Sequence, residues 1–197
     1  RKLKNIIERQ NSTLKLSECN AVDHHECHAW AVYSFSGMKN ALVITTDAMG
    51  DGITLTVSVA KNNKLKRIYC EYGDSSISLY YSRITELLGF KAIRHEGKIL
   101  GLSAHGNPKK TLRYIKKLFY YRGNGAFSKI NHFVPVSKNN SFFQNILLQR
   151  REDIAAGLQK NLEIQYTKFV EFWLKKTGMK NICLSGGLFA NVRLNQK

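Results

Sequence analysis

Residues 41–73 read ALVITTDAMGDGITLTVSVAKNNKLKRIYCEYG, and their pattern is the strongest indication of the fold. An apolar, β-branched run ends at a glycine-rich turn at 50–52, and a second turn follows at 62–63. Between the two turns, apolar residues alternate with Thr and Ser, which is the pattern of a strand with one buried face. The stretch therefore predicts an antiparallel meander of three strands.

The segments on either side of the meander alternate helical and extended patterns. Residues 1–10 and 24–36 have helical patterns, and residues 17–22 predict a short strand. After the meander, helical patterns cover 76–90, 96–108 and 142–177, the segment 109–121 is basic and amphipathic, and a weak strand signal lies at 126–130. Residues 181–187 predict a strand that ends in a glycine pair and leads into a helix. This order predicts a mixed α/β fold of the ribonuclease-H/actin kind.

Composition excludes several classes of protein. Hydrophobic residues make up 43% and charged residues 23% of the 197 residues, which is typical of a globular protein. No run of 18 apolar residues exists, and the first ten residues lack the apolar region of a signal peptide. The four cysteines are scattered, which argues against a disulfide framework or a zinc ribbon. We therefore expect a cytoplasmic protein that has no contact with a membrane.

The net charge of +17 bears on the choice of partners. It arises from 31 Lys and Arg residues against 14 Asp and Glu residues. Such an excess favours anionic partners such as phosphates, nucleic acid or acidic surfaces. A lysine-rich composition with a solvated surface explains the same number equally well.

The segment VDHHECHAWA, residues 22–31, predicts a metal site. Asp23 is of a residue type that favours the N-cap position. If a helix begins after it, His24 and His28 lie one turn apart on the same face and can bind one metal ion. Asp47, where an apolar strand meets a turn, is the candidate third ligand, and such a set suits iron, manganese or zinc. A zincin HExxH motif does not fit, and His25 would orient substrate or pack. The alternative is a capped helix start with solvated histidines.

Three glycine-containing segments are candidate phosphate sites. Gly50, Asp51 and Gly52 form either a phosphate-binding turn or a plain hairpin turn. Gly186 and Gly187 come between a strand and a helix, where backbone amides can hold an anion or simply make a tight turn. In the segment 94–106, Lys98 is a candidate partner for a phosphate or a carbonyl group, and a surface loop is the alternative.

Four stretches taken in order resemble one family. VDHHECHA, LVITTDAMGDG, YSRITELLGF with EGKILGLSAHG, and CLSGGLFANVRLN resemble the nodulation-type and antibiotic-biosynthetic O-carbamoyltransferases. The similarity covers residues 18–106 and 181–197, whereas 107–180 matches in helical character alone. The transfer RNA threonylcarbamoyltransferases are more distant relatives that share the HxxxH pair.

The resemblance implies a function and a set of roles. Carbamoyl phosphate and ATP would yield carbamoyl-adenylate at a separate threonylcarbamoyl-AMP-synthase-like domain. This actin-like ATPase domain would then transfer the carbamoyl group to a hydroxyl of a small molecule or sugar. The motif match assigns His24, His28 and Asp47 as ligands of a metal, usually iron, and Gly186, Gly187 and Asn191 to the phosphate pocket of the adenylate. His25 is the candidate general base.

Departures from the family pattern suggest a piece of a larger enzyme. An opening hairpin with a His-Asp-Ser-type motif, a further metal-binding Asp and the synthase-like domain are all missing, and Ala48 stands where glycine is common. We expect residues 18–106 to belong to a first lobe, 107–180 to be a helical region and 181–197 to open a second lobe. We also expect that this chain alone could be inactive as an enzyme. The alternative functions are transfer RNA modification and non-catalytic binding of a nucleotide or metal.

Overall fold

The meander predicted from residues 41–73 is present and is joined by a fourth strand. The computed structural model describes residues 2–11, 20–128 and 141–197. The sheet has the order β3-β2-β1-β4. Its strands are β1 (Asn40–Gly50), β2 (Ile53–Lys61), β3 (Lys64–Tyr72) and β4 (Ile182–Ser185). The first three are antiparallel, and β4 runs parallel to β1.

Both turns of the meander form for local reasons. Asp51 and Gly52 have φ values of 52° and 79°, and Asn62 and Asn63 have φ values of 47° and 59°. Two consecutive positive φ values are those of a tight two-residue hairpin turn, whose twist matches that of the strands. Aspartate and asparagine tolerate this conformation better than most residues do. The two turns therefore set the register of the meander.

Helices cover both faces of the sheet. One face carries α2 (His24–Ser36), which packs on a small cluster that includes Ala41 and Val43 of β1. The other face carries the main core, which includes Leu42 and Ile44 of the same strand. The remaining helices are α1 (Lys2–Gln10), α3 (Ile77–Leu87), α4 (Glu96–Leu102), α5 (Leu112–Ile115), α6 (Ser141–Leu147), α7 (Arg151–Thr177) and α8 (Val192–Asn195), with short 3₁₀ turns between several of them. The predicted mixed α/β class with flanking helices is therefore confirmed, while membership of the ribonuclease-H/actin superfamily stays a prediction.

The helical region departs from its predicted boundaries. The pattern over 142–177 belongs to two helices, α6 and α7, which are separated at 148–150. Glu152 and Asp153 lie in the first turn of α7, where acidic side chains stabilise a helix N-terminus, and Asp153 also accepts a hydrogen bond of 2.7 Å from the Asn107 N–H. The segment 109–121 is helical only over the end of a 3₁₀ turn (Pro108–Lys110) and over the short α5.

The three strands predicted outside the meander, at 181–187, 17–22 and 126–130, differ in their outcomes. Strand β4 pairs with β1 in the same sheet as the meander, and the division of the chain into two lobes stays a prediction. The predicted strand at 17–22 lies largely outside the described residues, and 20–22 are not in a strand. Of the strand signal at 126–130, Phe127 forms an isolated bridge with Tyr121, and 129–130 lie outside the described residues. Within the described ranges, no helix has the length and apolarity needed to span a membrane.

We expect Phe169→Ala to destabilise the domain strongly. Phe169 is fully buried and stacks on Phe127, with ring centroids 4.8 Å apart, in the main core. Removing a buried aromatic ring of this size costs about 3–5 kcal/mol of unfolding free energy. Phe35→Ala is the matched control, because Phe35 is 93% exposed. Urea denaturation measures both, and equal midpoints for the two variants would contradict this account of the core.

Candidate metal centre and adjoining cavity

The N-terminus of α2 is held by two carboxylates. The Asp23 side chain accepts a hydrogen bond of 2.8 Å from the Glu26 N–H, so the predicted N-cap is confirmed. The Asp51 carboxylate, in the first turn of the meander, accepts a hydrogen bond of 2.9 Å from the His24 N–H. Arg67 of β3 also pairs with Asp23 and, together with the Glu26 N–H, holds the pKa of that carboxyl below its usual value. These contacts fix the first turn of α2 against the sheet.

Gly50 lets His24 lie against the end of β1. A Cβ atom at position 50 would fall 2.2 Å from two ring carbons of His24. Any residue other than glycine would therefore displace the imidazole. This close approach explains the glycine better than phosphate binding does, since the hairpin turn 50–52 faces the start of α2.

His24, His28 and Asp47 form one cluster of potential metal ligands. The Nε2 atoms of both histidines lie 3.2 Å from Oδ2 of Asp47. One ligand atom from each residue lies within 4.8 Å of the other two. Ligands about 2.0–2.2 Å from a shared ion lie roughly 3 Å apart, so this donor set fits a divalent transition metal. The side chains are 26–39% exposed, so an ion can enter from solvent.

The surroundings keep Asp47 ionised and orient His28. Burial alone would raise the pKa of the Asp47 carboxyl, but the hydrogen bond from the Ala48 N–H and the contacts with the two histidines together lower it. The Oγ atom of Ser185, at the end of β4, lies 3.3 Å from Nδ1 of His28. A partner on Nδ1 leaves Nε2 directed at Asp47, as is common for histidines that bind metals.

His25 is buried, and both of its ring nitrogens are engaged. The ring is 1% exposed, with Nε2 2.9 Å from the carbonyl oxygen of Ile53 and Nδ1 2.7 Å from Oγ1 of Thr45. Nε2 must therefore donate, and Nδ1 accepts from the Thr45 hydroxyl. Burial lowers the pKa of His25, which keeps the ring neutral. Of the three expectations for His25, packing agrees best with this environment, while orientation of a substrate and the role of general base stay predictions.

The glycine pair lies directly against the end of β1. Gly186 has a φ of 101°, and a Cβ atom there would lie 2.3 Å from the Thr46 carbonyl oxygen. A Cβ atom on Gly187 would lie 3.1 Å from Oδ1 of Asp47. The parallel pairing of Thr45 with Ser185 produces this approach, because both strands end at the same edge of the sheet. The glycine pair therefore joins the histidine cluster in one site.

A cavity of about 320 Å³ adjoins the cluster. Asp47 belongs to its wall, as do Gly187 and Asn191. The rest of the wall comes from Ala48, Ser78, Tyr81, Ser82, Ile93, Glu96, Gly97, Leu100, Leu188 and Ala190. The Asn191 amide is held by Gln159 of α7, whose Oε1 accepts a hydrogen bond of 2.8 Å from it. A chamber of this size beside a donor cluster is a candidate substrate pocket.

The other predicted site residues lie outside this cavity wall. Lys98 is exposed on α4, next to the wall residue Gly97. Gly50, Asp51 and Gly52 form the hairpin turn at the N-terminus of α2. Sequence reasoning missed Ser185 and Glu96. The position of Ser185, immediately before the glycine pair at the end of a strand, is the signal that could have revealed it.

The fold and the site define a mixed α/β domain with a candidate metal centre beside a substrate-sized cavity. Comparison with protein families then supplies the family. The family model described as carbamoyltransferase N-terminus matches residues 3–197. The chain therefore belongs to the carbamoyltransferase family.

The relatives of the chain include an archaeal protein and two nodulation proteins. The chain is 30% identical over 184 residues to MJ1051 of Methanocaldococcus jannaschii, covering 88% of the chain and 35% of that protein. It is 26% identical over 189 residues to the nodulation protein NolNO of Sinorhizobium fredii, covering 92% of the chain and 27% of that protein. It is also 26% identical over 180 residues to the nodulation protein NolO of Bradyrhizobium diazoefficiens, covering 89% of the chain and 33% of that protein. The chain thus spans about a third of the length of these relatives.

We expect Gly50→Ala to disturb the cluster of His24, His28 and Asp47. The added methyl group would overlap the His24 ring, so the ring must move or the turn must shift, at a cost of about 1–3 kcal/mol of unfolding free energy. The control is Gly101→Ala on α4, where a Cβ atom meets nothing within 4 Å. NMR of histidine side chains measures the displacement. An unchanged His24 resonance in Gly50→Ala would contradict the close approach.

Proposed function

We propose that this domain binds a divalent metal ion through His24, His28 and Asp47 and transfers a carbamoyl group to a substrate hydroxyl. The observation that carries the proposal is the convergence of these three side chains, two Nε2 atoms at 3.2 Å from one carboxylate oxygen, at the edge of a cavity. Membership of the carbamoyltransferase family supports the group that is transferred. The donor we propose is carbamoyl-adenylate, made from carbamoyl phosphate and ATP by another part of the full-length protein.

The proposed reaction is an acyl-type transfer at the carbamoyl carbon. The oxygen of the acceptor hydroxyl forms a bond to this carbon, and the bond from the carbon to the adenylate phosphate oxygen breaks. The hydroxyl proton leaves to a base, and AMP leaves as the anion. The products are an O-carbamoyl ester and AMP. A bound metal ion supplies Lewis acidity that stabilises negative charge on the carbamoyl oxygen.

The residues of this chain would perform the positioning. The Ala48 N–H holds Oδ1 of Asp47, which leaves Oδ2 facing the two histidines. Gly187 lets the loop after β4 approach Asp47 closely, so a substrate group in the cavity would lie beside the cluster. We propose Gly186, Gly187 and Asn191 as the region that receives the adenylate phosphate, as the family resemblance implies.

The cavity wall has the chemistry of a polar ligand site. The Oγ atom of Ser78 is buried there without a hydrogen-bond partner among the described residues. Such an orphan hydroxyl in a cavity is available to a ligand, since leaving it unpaired is costly. Glu96 accepts hydrogen bonds of 2.6 Å from the Ser82 hydroxyl and the Ile93 N–H through one oxygen, Oε1. These groups would bind hydroxyls of the donor or of the acceptor.

The metal assignment predicts that two histidine variants lose metal. In the full-length protein, we expect His24→Ala and His28→Ala each to bring the bound divalent metal close to background, because each removes one of three ligands. His105→Ala is the matched control, since His105 is exposed and lies outside the cluster. Metal analysis by plasma mass spectrometry measures all three. Unchanged iron, manganese and zinc in both cluster variants would refute the metal site.

The transfer reaction predicts a separate loss of activity. We expect Asp47→Asn in the full-length protein to lower kcat by about 100-fold or more, the scale seen when a group that stabilises charge in the transition state is removed. The assay supplies ATP, carbamoyl phosphate, metal and hydroxyl acceptors, and it follows AMP and carbamoylated product by mass spectrometry. If wild-type protein forms no carbamoyl ester, the chain has a binding role instead. Full activity of Asp47→Asn would remove Asp47 from the mechanism.

A further inference from the structure

The positive charge of this chain is concentrated in one segment. Residues 91–122 contain nine Lys and Arg residues and a single acid, Glu96, a net charge of +8 out of +17 for the whole chain. All nine basic residues are exposed. They are Lys91, Arg94, Lys98, Lys109, Lys110, Arg113, Lys116, Lys117 and Arg122. We call this segment the basic tract.

The basic tract has one buried side and one charged side. Its segments, including α4, α5 and the 3₁₀ turns between them, pack along α7. Ile99, Thr111, Ile115 and Phe119 point into the protein and are at most 1% exposed. The nine basic residues are exposed, and Lys110 among them also reaches Asp153 in the first turn of α7. This arrangement differs from a uniformly lysine-rich exterior, because the segment carries about half of the net charge in about a sixth of the chain.

Few acidic groups neutralise this surface. Within the described residues, Asp153 pairs with Lys110, with Oδ2 3.0 Å from Nζ. Glu96 accepts two hydrogen bonds within the protein, and Glu163 pairs with Arg193. Lys109, Arg113, Lys116 and Lys117 have no acidic partner in the described structure. Their charge is therefore available to an anionic ligand.

Aromatic side chains lie among the cations. The Arg113 guanidinium lies over the Tyr114 ring at 4.6 Å and donates a hydrogen bond of 2.6 Å to its hydroxyl. Tyr120 is 50% exposed at the end of the same surface. Cations that alternate with exposed aromatic or guanidinium planes suit the phosphates and bases of a nucleic acid. A membrane surface fits less well, because the apolar residues Ile115 and Phe119 are buried against the protein rather than free to enter lipid.

We propose that the basic tract binds RNA through its phosphodiester backbone. One end of the tract reaches the candidate site, because Ile93, Glu96, Gly97 and Leu100 line the cavity beside Asp47. RNA held on this end of the tract would therefore lie close to the candidate site. RNA binding is a property beyond the proposed carbamoyl transfer, and it does not depend on metal, donor or turnover.

The test is RNA binding by the full-length protein with charge reversal in two places. The tract variant is Lys109→Glu/Arg113→Glu/Lys117→Glu. The control is Lys61→Glu/Lys64→Glu/Lys66→Glu in the β2–β3 hairpin, where all three lysines are exposed and the change in charge is the same. Fluorescence anisotropy with labelled bulk transfer RNA measures the affinity at several salt concentrations, without ATP or carbamoyl phosphate. Circular dichroism checks folding, and the glutamine version of the tract variant replaces it if the glutamate version unfolds.

We expect the tract variant to bind RNA at least about ten-fold more weakly at 0.15 M salt. The slope of log affinity against log salt concentration should fall in magnitude by about 2–3, because each lost phosphate contact lowers that slope by roughly 0.7–0.9. The control should change the affinity by less than about two-fold, because its charges lie away from the tract. Equal losses in the two variants would overturn the proposal, as would wild-type protein that binds no RNA. Binding to phosphatidylserine vesicles in place of RNA would also overturn it and indicate a membrane surface.

Discussion

The site depends on how the first turn of the meander contacts the first turn of α2. Gly50 allows the His24 ring to lie against the strand end, and the Asp51 carboxylate accepts a hydrogen bond from the His24 N–H. Because α2 starts at this contact, its helical period then places His28 above Asp47 as well. A shift of one residue in the turn would reverse the side of β1 to which each residue points, so it would remove Asp47 from the cluster.

Successive side chains of β1 lie on opposite faces of the sheet and make different contacts there. Thr45 and Asp47 face α2, where they bond with His25 and with the two cluster histidines. Thr46 faces the main core, where its hydroxyl bonds to the Tyr166 hydroxyl of α7. The strand is therefore tied to α2 on one side and to α7 on the other. This attachment holds the carboxylate of Asp47 steady between a helix and a cavity.

Local signals account for the parts of this structure that could be predicted. The Asp-Gly and Asn-Asn turns predict the meander, and the spacing of His24 and His28 predicts that they share a face. The interactions that were missed join residues far apart in the chain. Ser185 contacts His28 because β4 pairs with β1, and no local pattern around position 185 indicates which strand it will meet. In the same way, the start of α7 after the break at 148–150 involves a distant residue, because Asp153 accepts a hydrogen bond from the Asn107 N–H.

The turn around Ile93 belongs both to the basic tract and to the wall of the cavity beside Asp47. Ile93 has a φ of 67°, a backbone conformation that is unfavourable for a β-branched residue, and Glu96 stabilises it through a hydrogen bond from the Ile93 N–H. Backbone strain of this kind persists where surrounding contacts enforce it, and it is concentrated at ligand sites. Here it sits on the wall of the cavity, between Lys91 and Arg94 of the basic tract. The strained turn therefore joins the cavity wall to the basic tract through a backbone that Glu96 holds in place.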